Sequence, residues 1–145
     1  MQDFPHLYTV TAAGGAEGDV VTEAAALPAI MAASPPQFGG PTGRWSPETL
    51  LVAAVADCYI LSFRAIAKAT KLPWDAIECA VSGTLDRVEK VTQFTEFHVR
   101  ATLRVPPGTD QAKARAAMER AEQICLITNS LKGTAHLEAT VEFSG

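Results

Sequence analysis

The chain has 145 residues, with 16 acidic against 12 basic side chains and a formal net charge of −4 at neutral pH. This length favours a single domain over residues 1–145, and 48% hydrophobic with 19% charged residues excludes a disordered chain. The pI near 5.3 excludes the basic surface that nucleic acids or anionic lipids require. We therefore expect neither a nucleic-acid partner nor a membrane partner.

The first third of the chain predicts short strands and a loop. No basic segment is followed by an apolar run, so no signal peptide is predicted and the cytoplasm is the expected compartment. Alternation in Leu7–Thr11 and the β-branched Val20–Thr22 predict two strands joined by a turn at Gly14-Gly15. Residues 34–43 are rich in Pro and Gly and predict a loop, in which Phe38 is expected to act as an apolar anchor.

A long helix follows this loop. Ser46-Pro47-Glu48 predicts its start, because Ser caps a free amide, Pro suits the first helical position and Glu meets the positive end of the dipole. The helix is expected to run to about Lys71 and to end before Pro73. It is apolar on nearly every face, which predicts a core helix enclosed by protein on all sides. Asp57 and Arg64 argue against a membrane span.

The second half predicts an antiparallel sheet and a second helix. A period of two over Trp74–Glu89 and Thr92–Val105 indicates two strands with a hairpin around Lys90. A helix capped by Thr109 or Asp110 follows, with a short helical piece through Leu131 that ends at Gly133, and Ala135–Phe143 gives a last strand. The inward-facing residues are expected to be Phe97, Val99, Ala101, Leu103 and Val105 on the sheet and Ala112, Ala116, Ala117, Ala121, Ile124 and Cys125 on the helix. Together the predicted helices and strands indicate an α+β fold.

Three cysteines, Cys58, Cys79 and Cys125, are an odd number without a CxxC pair, which argues against a disulfide framework and a four-ligand zinc site. They could pack as small hydrophobes. Alternatively, two packed helices could bring Cys58 and Cys125 together as an attacking and a resolving thiol, with Cys79 left to packing. A Cys–His hydrolase pairing Cys58 with His98 or His136 is disfavoured, because His98 lies on the predicted solvent face.

Several segments together resemble one known family. They are Phe38–Gly40, Trp45–Leu51, Ala53–Cys58, Phe63–Ala67 and Ala121–Leu131. These segments resemble the OsmC/Ohr family of thiol-dependent hydroperoxide reductases over nearly the whole chain. The resemblance implies an OsmC-like α+β fold, with antiparallel sheets wrapped around central helices in an intertwined homodimer and a peroxidase site at the subunit interface.

The resemblance also implies roles for individual residues. Cys58 is expected to be the thiolate that attacks the peroxide, Cys125 the resolving thiol, and Glu48 the acid that orients an activating arginine. Phe38 and Trp45 are expected to line the substrate pocket. The implied substrates are organic hydroperoxides, and the implied reductant is a small-molecule or protein dithiol. No metal and no organic cofactor are expected.

The activating arginine is the main departure from the family pattern. Gln37 stands where one branch of the family has Arg, which leaves Arg44 and Arg64 as candidates. Arg64 lies about 240° around the helix from Cys58 and about 9 Å along it. The missing arginine supports an alternative function, in which a non-catalytic member binds a small apolar ligand at the dimer interface.

Helix geometry by itself predicts a dimeric site. Glu48 and Cys58 are ten residues apart, hence about 15 Å along a continuous helix, which a Glu side chain cannot span. If both residues serve one site, the helix must cross a copy of itself, so that Glu48 of one subunit approaches Cys58 of the other. We therefore expect an obligate homodimer.

Overall fold

The computed structural model describes residues 1–145, which form two compact units, Met1–Leu50 and Leu51–Gly145. The first unit contains an antiparallel sheet of β1 (Thr11–Ala13), β2 (Val20–Glu23) and β3 (Ile30–Ala32), in that order. The strand predicted over Leu7–Thr11 is not found, because only its last residue, Thr11, belongs to β1. Thr11 already pairs with Glu23, the last residue of β2, so the residues before Thr11 have no strand to pair with.

The Pro- and Gly-rich loop is ordered by its own backbone. A short 3-10 turn spans Pro36–Phe38, and the carbonyl of Pro35 accepts bonds from the amides of Phe38 and Gly40 at 2.9 and 3.1 Å. A side chain on Gly40 would lie 1.7 Å from the Ser34 carbonyl oxygen, so only glycine fits there. The prediction that Phe38 anchors the loop is wrong within one chain, because Phe38 is 62% exposed.

The long helix α1 (Pro47–Thr70) begins in the first unit and runs through the second. Its start is confirmed: the Ser46 Oγ accepts from the Thr49 amide at 3.1 Å. Its end is confirmed by Lys71, whose φ is +53°, and by a bond of 2.9 Å from the Leu72 amide to the Ala67 carbonyl.

The predicted enclosure of α1 on all sides is not found within one chain. Its buried residues form a single stripe, Val55, Tyr59, Phe63 and Ala67. The spacing of four residues repeats on one helix face, and Leu61 on another face is 57% exposed. By length and composition α1 could also cross a membrane, but its buried stripe belongs to the protein core. One chain therefore leaves much of the apolar surface of α1 uncovered.

The second unit contains the sheet β4 (Ala76–Val88), β5 (Val91–Val105) and β6 (Thr134–Phe143), in that order. The hairpin predicted around Lys90 is confirmed, and its two turn residues Glu89 and Lys90 both have positive φ, as a type I′ turn requires. The expectation of purely antiparallel pairing is wrong for β6, which runs parallel to β5. The reason is that the chain returns through helices before β6 begins, which is how parallel neighbours are connected.

The connection to β6 holds α2 (Gln111–Ile124) and α3 (Leu126–Asn129). Asp110 is the cap of α2, and its Oδ1 accepts from the amides of Ala112 and Lys113 at 2.9 and 3.3 Å. The predicted α2 stripe is partly wrong, because Ala112 and Ala116 are exposed. The residues that α2 buries are Ala114, Ala117, Met118 and Ala121.

The core of the second unit lies between the helices and one face of the sheet. All five inward residues predicted on β5 are buried. Tyr59 on α1 donates from its hydroxyl to the Met118 carbonyl on α2 at 3.2 Å, which joins the two helices inside the core. This packing fixes the relative positions of the elements that carry the cysteines.

Candidate active site

Cys58 lies in the middle of α1, beside the buried stripe. Its side chain is half-buried, and its Sγ is 3.9 Å from the Oγ of Ser62, one turn further along the helix. Asp57 before it is exposed, whereas Tyr59 after it is buried. Cys58 therefore lies at the edge of the core and is partly exposed to solvent.

Cys125 occupies the junction between α2 and α3 and is only 1% exposed. Its carbonyl accepts bonds from the Thr128 hydroxyl at 3.1 Å and from the Asn129 amide at 3.0 Å, which hold the junction in place. Burial raises the pKa of the Cys125 thiol, hydrogen bonds from Thr128 lower it, and the neighbouring Cys58 thiol raises it further. The Cys58 thiol thus lies near enough to Cys125 to influence its pKa.

Cys79 belongs to the same neighbourhood. It is half-buried on β4, in line with the other half-buried residues Ile77 and Val81. Its pKa is raised to about 11, first by burial and then by Cys125 and Asp57. The sequence assigned Cys79 to packing and missed its closeness to Cys125. The alternation of β4 could have indicated that Cys79 faces the core, since every second strand residue faces the same side.

Four of the predicted site residues lie in the first unit. Glu48 is half-buried, and its Oε2 is inaccessible to solvent yet has no hydrogen-bond partner in the chain. The Nε of Arg44 pairs with the Oδ2 of Asp19 at 3.0 Å. Trp45 is 52% exposed and, like Phe38, presents apolar surface to solvent.

The remaining candidates are spread over exposed surfaces. Arg64 is exposed on α1. His98 and His136 are exposed on the sheet face opposite the buried Phe97 and Val99. Neither histidine faces the core that holds the cysteines, which argues against a Cys–His hydrolase.

The structure is that of an α+β protein with one half-buried thiol, Cys58, near one buried thiol, Cys125. The family described as OsmC-like protein matches residues 39–140, a range that includes Glu48, Cys58 and Cys125. The chain belongs to this OsmC-like family, as its sequence motifs predicted.

Comparison with individual relatives gives the same result. The chain is 31% identical to the organic hydroperoxide resistance protein of Xanthomonas axonopodis pv. citri over 140 residues, which are 93% of this chain and 94% of the relative. An OsmC-like protein from Vibrio cholerae shares the fold with a TM-score of 0.85 at 17% identity, covering 93% of this chain and 99% of that one. An organic hydroperoxide resistance protein from Legionella pneumophila has a TM-score of 0.75 at 24% identity, covering 97% and 99%.

Proposed function

We propose that the protein is a thiol-dependent reductase of organic hydroperoxides that acts in oxidative stress defence. The observation that carries the proposal is the pairing of a half-exposed thiol, Cys58, with a buried neighbouring thiol, Cys125. A two-cysteine peroxidase needs this arrangement, because one thiol must contact the substrate and the other must lie close enough to react with the sulfenic acid that forms. The name of the 31% identical relative, an organic hydroperoxide resistance protein, supports the same assignment.

The proposed reaction has three steps. The Cys58 thiolate attacks one oxygen of the hydroperoxide, the O–O bond breaks, and the leaving alkoxide takes a proton to become the alcohol. Cys58 is now a sulfenic acid. The Cys125 sulfur then attacks the Cys58 sulfur, water leaves, and a disulfide forms. A dithiol, either a small molecule or a protein, reduces this disulfide and restores both thiols.

The different burial of the two thiols suits their separate roles. Because burial raises the pKa of Cys125, this thiol stays protonated at neutral pH and does not compete with Cys58 for the peroxide. Cys125 acts only once the sulfenic acid has formed beside it, and its proton then leaves with the sulfenic hydroxyl as water. In this proposal the burial of each thiol matches its role.

In this proposal the peroxidase site is complete only when a second subunit is present. A buried carboxylate oxygen without a partner, as on Glu48, is costly unless a donor from outside the chain reaches it. In a homodimer, Glu48 of one subunit would approach Cys58 of the other and orient an arginine that lowers the thiol pKa. Arg44 and Arg64 are the candidates for that arginine, and Arg44 would have to leave Asp19.

The proposed substrates are apolar hydroperoxides. Phe38 and Trp45 expose aromatic surface within one chain, and together they would line the pocket of the assembled site. Apolar walls favour alkyl or fatty hydroperoxides over hydrogen peroxide, because they bury the organic part of the substrate. A cytoplasmic location remains a prediction.

Turnover of cumene hydroperoxide in the presence of dithiothreitol tests the proposal. We expect Cys58→Ser to lower the rate to that without protein, because the attacking thiol is gone. Cys125→Ser should slow turnover and let Cys58 oxidise to sulfinic acid. Cys79→Ser is the matched control and should retain activity. An unchanged rate with Cys58→Ser would overturn the assignment.

The second candidate is a non-catalytic protein that binds a small apolar ligand at the dimer interface. Two observations favour it: Gln37 replaces the usual arginine, and Arg44 is already paired with Asp19. The same assay separates the two functions. Absence of turnover in the wild-type protein, with no difference on Cys58→Ser, would support the binding function.

A further inference from the structure

The outer face of the second sheet, opposite the face that carries Cys79, holds a cluster of side chains of types that bind metals. His98 on β5 and His136 on β6 are direct register partners, so their side chains leave the same face of the sheet. Their rings stack with centroids 5.0 Å apart and an angle of 18° between the planes. Glu96 lies two residues before His98 on the same face, and its Oε2 is 3.1 Å from the His98 Nε2.

The three side chains can converge on one ion. One ligand atom from each of Glu96, His98 and His136 lies within 4.8 Å of the others. Zinc binds His nitrogen at about 2.0–2.1 Å and carboxylate oxygen at about 2.0–2.2 Å, so small side-chain rotations suffice. All three residues are exposed, so these rotations do not disturb the packing of the core.

The surroundings leave room for further ligands of the ion. A hollow of about 330 Å³ at the histidines is also lined by Ser82, Arg100 and Glu138. Arg100 and Glu138 are register partners, so the carboxylate offsets the positive charge next to the cluster. A hollow of this size admits water or a small anion at the open coordination positions.

We propose that Glu96, His98 and His136 form a binding site for a divalent transition-metal ion of the zinc type. Two imidazoles and one carboxylate select such ions over Mg²⁺ and Ca²⁺, which prefer oxygen ligands. The site is separate from the proposed peroxidase reaction, which uses no metal. A bound ion joins β5 to β6 and so stabilises the parallel pair that ends the sheet.

Titration of the reduced full-length protein with zinc chloride by calorimetry tests this site. We expect His136→Ala and His98→Ala each to weaken zinc binding at least about tenfold, since even the loss of a residue that only supports a ligand costs about 10–100-fold. His6→Ala is the matched control, since His6 is the third histidine and its contacts with Gln2, Phe4 and Tyr8 all lie in the N-terminal segment. Because the three substituted residues are not in the core, the variants should fold, which circular dichroism checks.

Cysteine thiolates are zinc ligands in many proteins, so a second set of measurements separates the cysteines from the histidine cluster. We expect Cys58→Ser to retain the zinc equivalent that His136→Ala loses. Zinc should also raise Tm in the wild-type protein and in Cys58→Ser, and should raise it less in His136→Ala. Wild-type zinc affinity in both His98→Ala and His136→Ala, or loss of the zinc equivalent in Cys58→Ser alone, would overturn the proposal.

Discussion

Cys79 differs from Cys58 in its expected reactivity towards peroxide, although it lies near Cys125. Its pKa of about 11 keeps it protonated at neutral pH, and the thiolate is the form that attacks peroxides. Proximity alone therefore does not make Cys79 part of the reaction. The residue scale gives three predictions.

The first concerns the disulfide. One equivalent of organic hydroperoxide should consume two thiols and leave Cys79 free. Peptide mapping after oxidation should find Cys58 linked to Cys125 within one chain. A linkage between chains would revise the topology of the site, and Cys58 oxidised to sulfinic acid with Cys125 untouched would leave Cys125 as a core residue.

The second concerns alkaline stability. The Cys79 thiol has an ordinary pKa of 9.0 and a pKa of about 11 in the folded chain, so the folded state binds its proton more tightly. Its contribution to stability is complete below pH 9 and is lost as the pH rises towards 11. Urea unfolding should therefore show a smaller free-energy loss between these pH values in Cys79→Ala than in the wild type. Equal losses in the two proteins would contradict the prediction.

The third concerns Gly83, where the sheet passes close to α1. A Cβ at this position would lie 2.9 Å from the Cγ2 of Val52 and 3.0 Å from the ring of Phe94. Gly83→Ala should destabilise the protein by about 1–3 kcal/mol, the usual cost of overpacking. Gly15→Ala is the control, since its nearest neighbour is 3.8 Å away. Urea midpoints that fall equally in both variants would contradict this.

At the scale of elements, α2 depends on its cap, and the position of Cys125 depends on α2. Asp110→Ala removes the acceptor for two free amides and should cost about 1 kcal/mol of folding free energy. Asp110→Asn keeps a capping oxygen and should lose little. Thermal or urea unfolding measures both variants, and equal stability of Asp110→Ala and the wild type would show that the cap contributes nothing.

At the scale of the whole molecule, the uncovered apolar surface predicts self-association. Leu61 on α1, Trp45 and Phe38 are each more than half exposed in one chain, which is costly in water. Sedimentation at micromolar concentration should find a dimer, and Leu61→Asp should shift it towards monomer by placing a charge in the interface. A folded wild-type monomer at that concentration would contradict the dimeric site.

The sequence by itself determined the elements whose signals are local. The start of α1 at Ser46-Pro47 and the β4–β5 hairpin follow from capping, proline and alternation, because these effects act within a few residues. The family motifs around Cys58 and Cys125 are local in the same sense. For this reason the family and the candidate thiols could be predicted from the sequence alone.

Only the tertiary structure decided the features that depend on distant pairing. The parallel register of β6 on β5 places His98 beside His136, although 38 positions separate them in the sequence. The closeness of Cys79 to Cys125 and the truncation of β1 at Thr11 depend in the same way on which strands and helices meet. Periodicity predicts which face of an element is apolar, but the partner of that face is chosen by packing of the whole chain.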